Sequence, residues 1–310
     1  MPKVFVTGGA GFIGSNLVDE LIKDGHRVVI IDNLSTGKKE YLNSKAKFYK
    51  LDIGSKKIEQ VFEKEKPDFV FHLAAQIDVR KSLRDPEYDN KINVLGSLNI
   101  LENCCKSKVK KIIFASTGGA VYGDAREIPT TENYIPAPMC PYGIHKLTFE
   151  KYLKYYYEVY KQDYTALRFA NIYGPRQYKG GEAGVVAIFI DKAVNNSQSI
   201  LNGSGQQTRD FVYVDDVVAA FIKSMKVKFP GEINIGTDKE TSILEIINSI
   251  EKTLERKMIV KKGPAIPGEQ KRSCLDSKLA KKVLNWEPKV KLEEGIRRTI
   301  EWSENKIINK

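Results

Sequence analysis

"KVFVTGGAGFIGSNLVDELIKDGHRVVIIDN" (residues 3–33) decides the fold of this chain. Val4–Thr7 is an apolar run too short for a helix and bounded by glycine, so it reads as a strand. Ile13, Leu17, Leu21 and Ile22 recur on one face of the helix that follows, and Gly25 ends it where a left-handed turn is needed. Val28–Ile31 is a second strand. Both strands are apolar on both faces, the pattern of a parallel sheet covered by helices.

The same alternation runs outward from this unit. Helices are expected near 55–66 and 87–107, and strands at 69–73, 111–116 and 164–169, with a helix around Tyr142 between the last two. The reading is a Rossmann-type, doubly wound parallel α/β sheet. After residue 170 the elements shorten, with helices expected near 184–195, 215–226, 242–255 and 292–305. Residues 1–170 are therefore expected to form the sheet domain, with segments near 205–237 returning to it. Residues 171–310 are expected to form mainly a smaller α/β substrate domain, with a cleft between the two.

Gly8, Gly11 and Gly14 lie between the first strand and its helix. Glycine permits a tight turn and close approach of the backbone to a pyrophosphate, which the helix N-terminus attracts. Such a triplet is weak alone, but here the second strand ends in Asp32, placed to accept from an adenosine ribose. A carboxylate there repels a 2′-phosphate, so NAD is expected over NADP. Phe12 and Ile13 in the turn, Asp52 and Ile53 after a short strand, and Leu73, Ala74, Ala75 and Gln76 after another are further candidates for the cofactor pocket.

Composition narrows the function classes. Of the 50 basic residues 11 are Arg, and the lysines mingle with Glu as in "KKIEQVFEKEK" (56–66), so the net charge of +11 forms no basic tract. Nucleic acid is thus not an expected partner, although an anionic small molecule is. Cys104, Cys105, Cys140 and Cys274 lack metal or redox spacing, and His26, His72 and His145 are scattered, so no metal is expected. No apolar run reaches membrane-span length and no cleavable leader is evident, so a cytoplasmic location is expected.

"CPYGIHK" (140–146) sets Lys146 one helical turn after Tyr142, behind a proline. A phenol ionises near pH 10, and a neighbouring ammonium together with an oxidised nicotinamide would favour its phenolate. Ser116 and Thr117, at the end of the preceding strand, could hold a substrate hydroxyl.

At this point the chain resembles the extended short-chain dehydrogenase/reductase family, in its nucleotide-sugar epimerase/dehydratase branch. The resemblance runs nearly end to end, through "TGGAGFIGS" (7–15), "DNLSTG" (32–37), "HLAAQ" (72–76), "STGGAVYG" (116–123), "YGIHK" (142–146), "RFANIYGPRQ" (168–177), "QQTRDFVYVDDV" (207–217) and "NWEP" (285–288). It implies a seven-stranded Rossmann domain with Tyr142 as base and Lys146 as its electrostatic partner on the nicotinamide ribose. It places Asn33, Ser35, Thr36, Gly37 and Asn93 at the cofactor. Asn171 and Arg209 become diphosphate ligands, Glu269 a nucleoside contact and Ser273 a small residue beside the sugar's C2. Ser116 and Thr117 compete for the catalytic hydroxyl, with Thr117 favoured.

A second diphosphate arginine of the family is replaced by Ile266 in "IPGE" (266–269), with Lys261, Lys262 or Arg272 as substitutes. The implied activity is that of an isomerase, NAD-dependent 4-epimerisation of a UDP-hexose through a 4-keto intermediate, acetamido sugars included. UDP-glucuronate 4-epimerisation is an alternative within the family. Dehydratases and decarboxylases of the family need acidic groups where Gly119 and Ala120 stand. An NAD-sensing protein without activity would be expected to lose the Tyr142/Lys146 pair. The tyrosines of "TFEKYLKYYYEVYKQ" (148–162) suggest a homodimer.

Overall fold

A computed structural model of the chain describes residues 1–177, 184–265 and 270–308. Seven strands form one parallel sheet: β1 (Lys3–Thr7), β2 (Arg27–Asp32), β3 (Lys47–Lys50), β4 (Phe69–His72), β5 (Lys111–Thr117), β6 (Tyr164–Phe169) and β7 (Glu232–Ile235). Their order across the sheet is β7-β6-β5-β4-β1-β2-β3. The order reverses between β1 and β4; ligands of such sheets bind in the crevice outside the carboxyl ends of the strands at that switch point.

Alternation along each strand feeds two cores. Val4 and Val6 face Leu17, Val18 and Leu21 of the Phe12–Lys23 helix, whereas Phe5 between them faces Ile58, Val61 and Phe62 of the Lys57–Glu65 helix. Each such fully buried side chain contributes about 1.5–3 kcal/mol, which is why β1 has no polar face. The first core continues through Trp286, Ile243, Ile246 and Ile300, so the C-terminal half packs directly on the sheet. The Val214–Ser224 helix lies against the Phe12–Lys23 helix and leads into β7, which pairs with β6.

The helix expected near 87–107 is Pro86–Asn90 and Ser97–Lys106, joined by a π-helical turn over Lys91–Gly96. The extra residue in that turn accompanies a buried Asn93 that bonds the Gln76 backbone on the loop after β4, and periodicity alone does not show it. Short strands join distant motifs: Asn171–Tyr173 pairs in parallel with Phe211–Tyr213, and Thr208–Arg209 pairs antiparallel with Thr241–Ser242.

Candidate active site

The crevice begins at the glycine turn. Gly8 has φ +72°, and a Cβ on it would lie 2.8 Å from the Ala74 backbone nitrogen; one on Gly14 would lie 2.1 Å from the Gly8 oxygen. These positions admit no side chain, and the cradle they form lies open to a ligand at the start of the Phe12–Lys23 helix. That helix has no side-chain cap and no acidic residue in its first turn, so its first N–H groups and partial positive charge face outward. Asp32, buried at the end of β2, accepts from the Ala10 and Leu34 backbone N–H groups at 3.0 and 2.8 Å. A carboxylate held by two N–H donors keeps lone pairs for a ribose. These residues fit a dinucleotide with an unphosphorylated 2′-hydroxyl.

The loop after β2 folds back over the cradle. Lys38 N–H donates to the Ala10 carbonyl, and a Cβ on Gly37 would lie 2.9 Å from Ala10 Cβ. Ser35 N–H donates to Asn33 Oδ1, Asn33 Nδ2 donates to Asp52 Oδ2, and Ser35 and Thr36 are exposed at the rim. Ile53 is buried against Gly96.

Thr7 and His72 set the opposite wall. Thr7 Oγ1 accepts from the Leu73 and Ala74 N–H groups, so its own proton goes to His72 Nδ1 at 2.7 Å. His72 then carries its hydrogen on Nε2 and donates to Ser97 Oγ at 2.8 Å. Burial, with the Lys146 charge adding, pushes His72 down to about 3, so it is a neutral spacer rather than an acid or base. Next along the chain, the Asn93 side chain clamps the Gln76 backbone on both sides, and its second amide hydrogen goes to Asp89. Asn93 thus reaches the crevice through Gln76. That relay left no signal in the sequence, because Thr7 reads as an ordinary strand end and His72 as a lone buried histidine.

Tyr142 and Lys146 sit on the first turns of the Pro141–Tyr160 helix, which begins with proline at a position where a missing N–H costs nothing. Lys146 Nζ donates to the Ala115 carbonyl of β5 at 2.8 Å and lies 5.8 Å from the Tyr142 ring centre and 4.6 Å from that of Phe114. Burial lowers Lys146 to about 8, against the upward pull of Asp89 and Glu150. Burial pushes the Tyr142 phenol well above its ordinary range, with Asp89 and Cys140 adding. Among the protein's own groups, burial first and then the Asp89 charge set this direction.

Ser116 and Thr117 part company. Ser116 is buried and donates to Glu150 Oε1 at 2.6 Å; Glu150 forms a bidentate buried pair with Arg168, whose Nη1 donates to Tyr122 Oη. Thr117 is half-buried and accepts from Ala120 N–H at 3.3 Å, leaving its hydroxyl proton to give. Gly119 and Ala120 follow, and Ser273 Oγ lies 4.0 Å from where a Gly119 Cβ would stand. Cys274 instead turns inward, buried near Asp210. The Asn171–Tyr173 and Phe211–Tyr213 pairing brings Asn171 beside Asp210, with Arg209 on the adjoining strand. Arg272 forms a bidentate pair with Glu240, which also accepts from Thr208, and Lys261 and Lys262 are exposed. Ile266 and Glu269 lie outside the described residues.

Such an arrangement suits a dinucleotide-dependent α/β enzyme with a tyrosine–lysine pair. Residues 4–236 match the model of the NAD dependent epimerase/dehydratase family, and the chain belongs to that family. The UDP-glucose 4-epimerase of Mycolicibacterium smegmatis is 41% identical, over 98% of this chain and 99% of its own. The structure of a UDP-glucose 4-epimerase from Thermotoga maritima with UDP-glucose is similar at TM-score 0.97 and 44% identity, covering 98% of this chain and 99% of the other. A UDP-N-acetylglucosamine 4-epimerase from Methanobrevibacter ruminantium, in complex with UDP-N-acetylmuramic acid, is similar at TM-score 0.93 and 38% identity, covering 98% and 99%.

Proposed function

We propose that the chain is an isomerase that epimerises UDP-hexoses at C4 with NAD as its cofactor. One observation carries the reading: Tyr142 and Lys146 stand a helical turn apart, with Lys146 anchored on the β5 carbonyl that precedes Ser116 and Thr117. The glycine cradle and Asp32 hold the dinucleotide. NAD supplies hydride acceptance and return at C4, and its charged nicotinamide offsets the protein's upward push on the phenol.

Tyr142 takes the 4-hydroxyl proton, and Thr117 donates to the same oxygen and keeps it in line. Lys146, still largely protonated at neutral pH, stabilises the phenolate and a ribose hydroxyl. Tyr142 returns the proton once the 4-keto sugar has turned over, so no net redox occurs. Asn171 and Arg209 hold the diphosphate. Ser273 leaves room beside C2 for an acetamido group. Gly119 and Ala120 offer no proton-transfer group for dehydration or decarboxylation.

Residues 1–170, with 205–237, act as the NAD-binding part, and the rest of 171–310 as the sugar-nucleotide part. No helix among the described residues is long and apolar enough to cross a membrane, and we place the enzyme in the cytoplasm. Exposed Tyr152, Tyr155, Val159 and Tyr160, with Leu95 on the neighbouring helical segment, support a homodimer.

Purified protein given UDP-glucose, UDP-galactose, their 2-acetamido counterparts and UDP-glucuronate, with product sugars separated, tests this. Interconversion of C4 epimers without added NAD is expected, and Tyr142→Phe should reduce it by roughly two or more orders of magnitude while retaining NAD. Turnover near wild type in Tyr142→Phe would remove Tyr142 from the role of base.

A further inference from the structure

Asp89 is a wholly buried carboxylate that the mechanism above does not use. It lies on the Pro86–Asn90 helix, and its oxygens face two parts of the site at once. Oδ2 accepts from Asn93 Nδ2 at 2.7 Å and from Gln76 Nε2 at 3.3 Å, which ties it to the loop leaving β4. Oδ1 lies 2.9 Å from Nδ1 of His145, which immediately precedes Lys146 on the Pro141–Tyr160 helix. A carboxylate only accepts, so His145 carries its proton on Nδ1.

We propose that Asp89, through His145, is a positioning residue: it fixes the turn bearing Tyr142 and Lys146 against the Gln76 wall of the cofactor crevice and sets a fixed negative charge behind that pair. The proposal rests on the reading of Tyr142 as base. A buried charge is costly unless fully bonded, and Asp89 is held by a side chain from each of three segments. A hydrophobic residue would pack there at less cost, but would not tie loop to helix.

The charge also acts on chemistry. The groups whose charge or proton acts on Tyr142 include Asp89, Cys140 and Lys146; those acting on Lys146 include Asp89, Glu150, His72 and the Ala115 carbonyl. Asp89 raises both members of the pair, keeping Lys146 charged while holding the phenol back from premature ionisation.

Asp89→Asn is the test, because asparagine keeps the shape, accepts from Asn93 and can donate to the other tautomer of His145. Retained NAD, kcat, KM and the pH profile of kcat are measured. NAD content and KM should be little changed, kcat about tenfold lower, and the acidic limb of the profile roughly 0.5–1 pH unit lower. His145→Ala should lower kcat similarly and move the limb the other way, since Asp89 loses its donor. His145→Gln, which can still donate, should restore most of the loss. If Asp89→Asn does not fold, the two His145 variants decide. Wild-type kcat and an unmoved limb in these variants, with Tyr142→Phe inactive, would overturn the role of Asp89 alone. Activity in Tyr142→Phe would instead overturn the base on which it rests.

Discussion

Ser116 and Thr117 are neighbours on one strand, so their side chains leave on opposite faces. That parity, rather than any difference between the hydroxyls, separates their environments. Ser116 meets the buried Glu150–Arg168 pair and Thr117 the crevice. Ser116→Ala should cost about 1–3 kcal/mol of stability, read from chemical unfolding, because Glu150 loses a donor, with turnover within a few-fold. Thr117→Val should leave unfolding nearly unchanged and reduce turnover at least roughly tenfold. The reverse pattern would exchange the two roles. Ser273 belongs to the same scale: half-buried beside Gly119, it can be enlarged toward the crevice. Ser273→Tyr should depress kcat/KM for the 2-acetamido sugars far more than for UDP-glucose and UDP-galactose, and equal losses would count against the small gate.

Among the elements, the far end of the sheet from the site shows how strands and helix are locked together. Lys3 and Lys47 start β1 and β3 on the face that also carries Phe5 and Val29, and with Tyr49 they converge on Glu65, the last residue of the Lys57–Glu65 helix. An acidic residue at a helix C-terminus opposes the helix dipole, and burial would raise its pKa. The bonds from Lys47, Tyr49 and Lys3 overcome both and hold Glu65 at about 2. A carboxyl lowered from its ordinary 4.5 contributes its stability in full above about 4.5 and loses it as pH falls toward 2. Glu65→Gln should lower Tm by about 2–4 °C at neutral pH per kcal/mol removed. It should also flatten the fall of Tm between these two pH values. A parallel acid response in wild type and variant would show that the cluster contributes little.

For the whole molecule, the C-terminal half is tied back at several points. Trp286 Nε1 donates to the Asp216 carbonyl, Arg176 pairs with Asp19, and Lys306 reaches Tyr41 and Glu40 beside the cofactor loop. The second half therefore braces the cradle from outside. On the other flank the tyrosine cluster of the Pro141–Tyr160 helix is exposed, with Tyr155 and Tyr160 ring centres 6.0 Å apart. If two copies meet there, Leu95→Glu with Tyr155→Glu should convert a dimer into a monomer in light scattering behind size exclusion, because charge would be buried unpaired. Wild-type protein running as a monomer would remove this interface.

The amino-acid sequence by itself determined the α/β alternation, the glycine turn with Asp32, and the spacing of Tyr142 and Lys146, because each is a short-range pattern set by strand or helix period. Tertiary structure decided what depends on partners far along the chain. It separated Ser116 from Thr117 through Glu150, turned Cys274 inward while Ser273 faces Gly119, and put Arg272 on Glu240. It also gathered Gln76, Asp89, Asn93 and His145 into one network across a π-helical turn. Burial and long-range hydrogen bonds assign these roles, and neither has a period that a sequence can display.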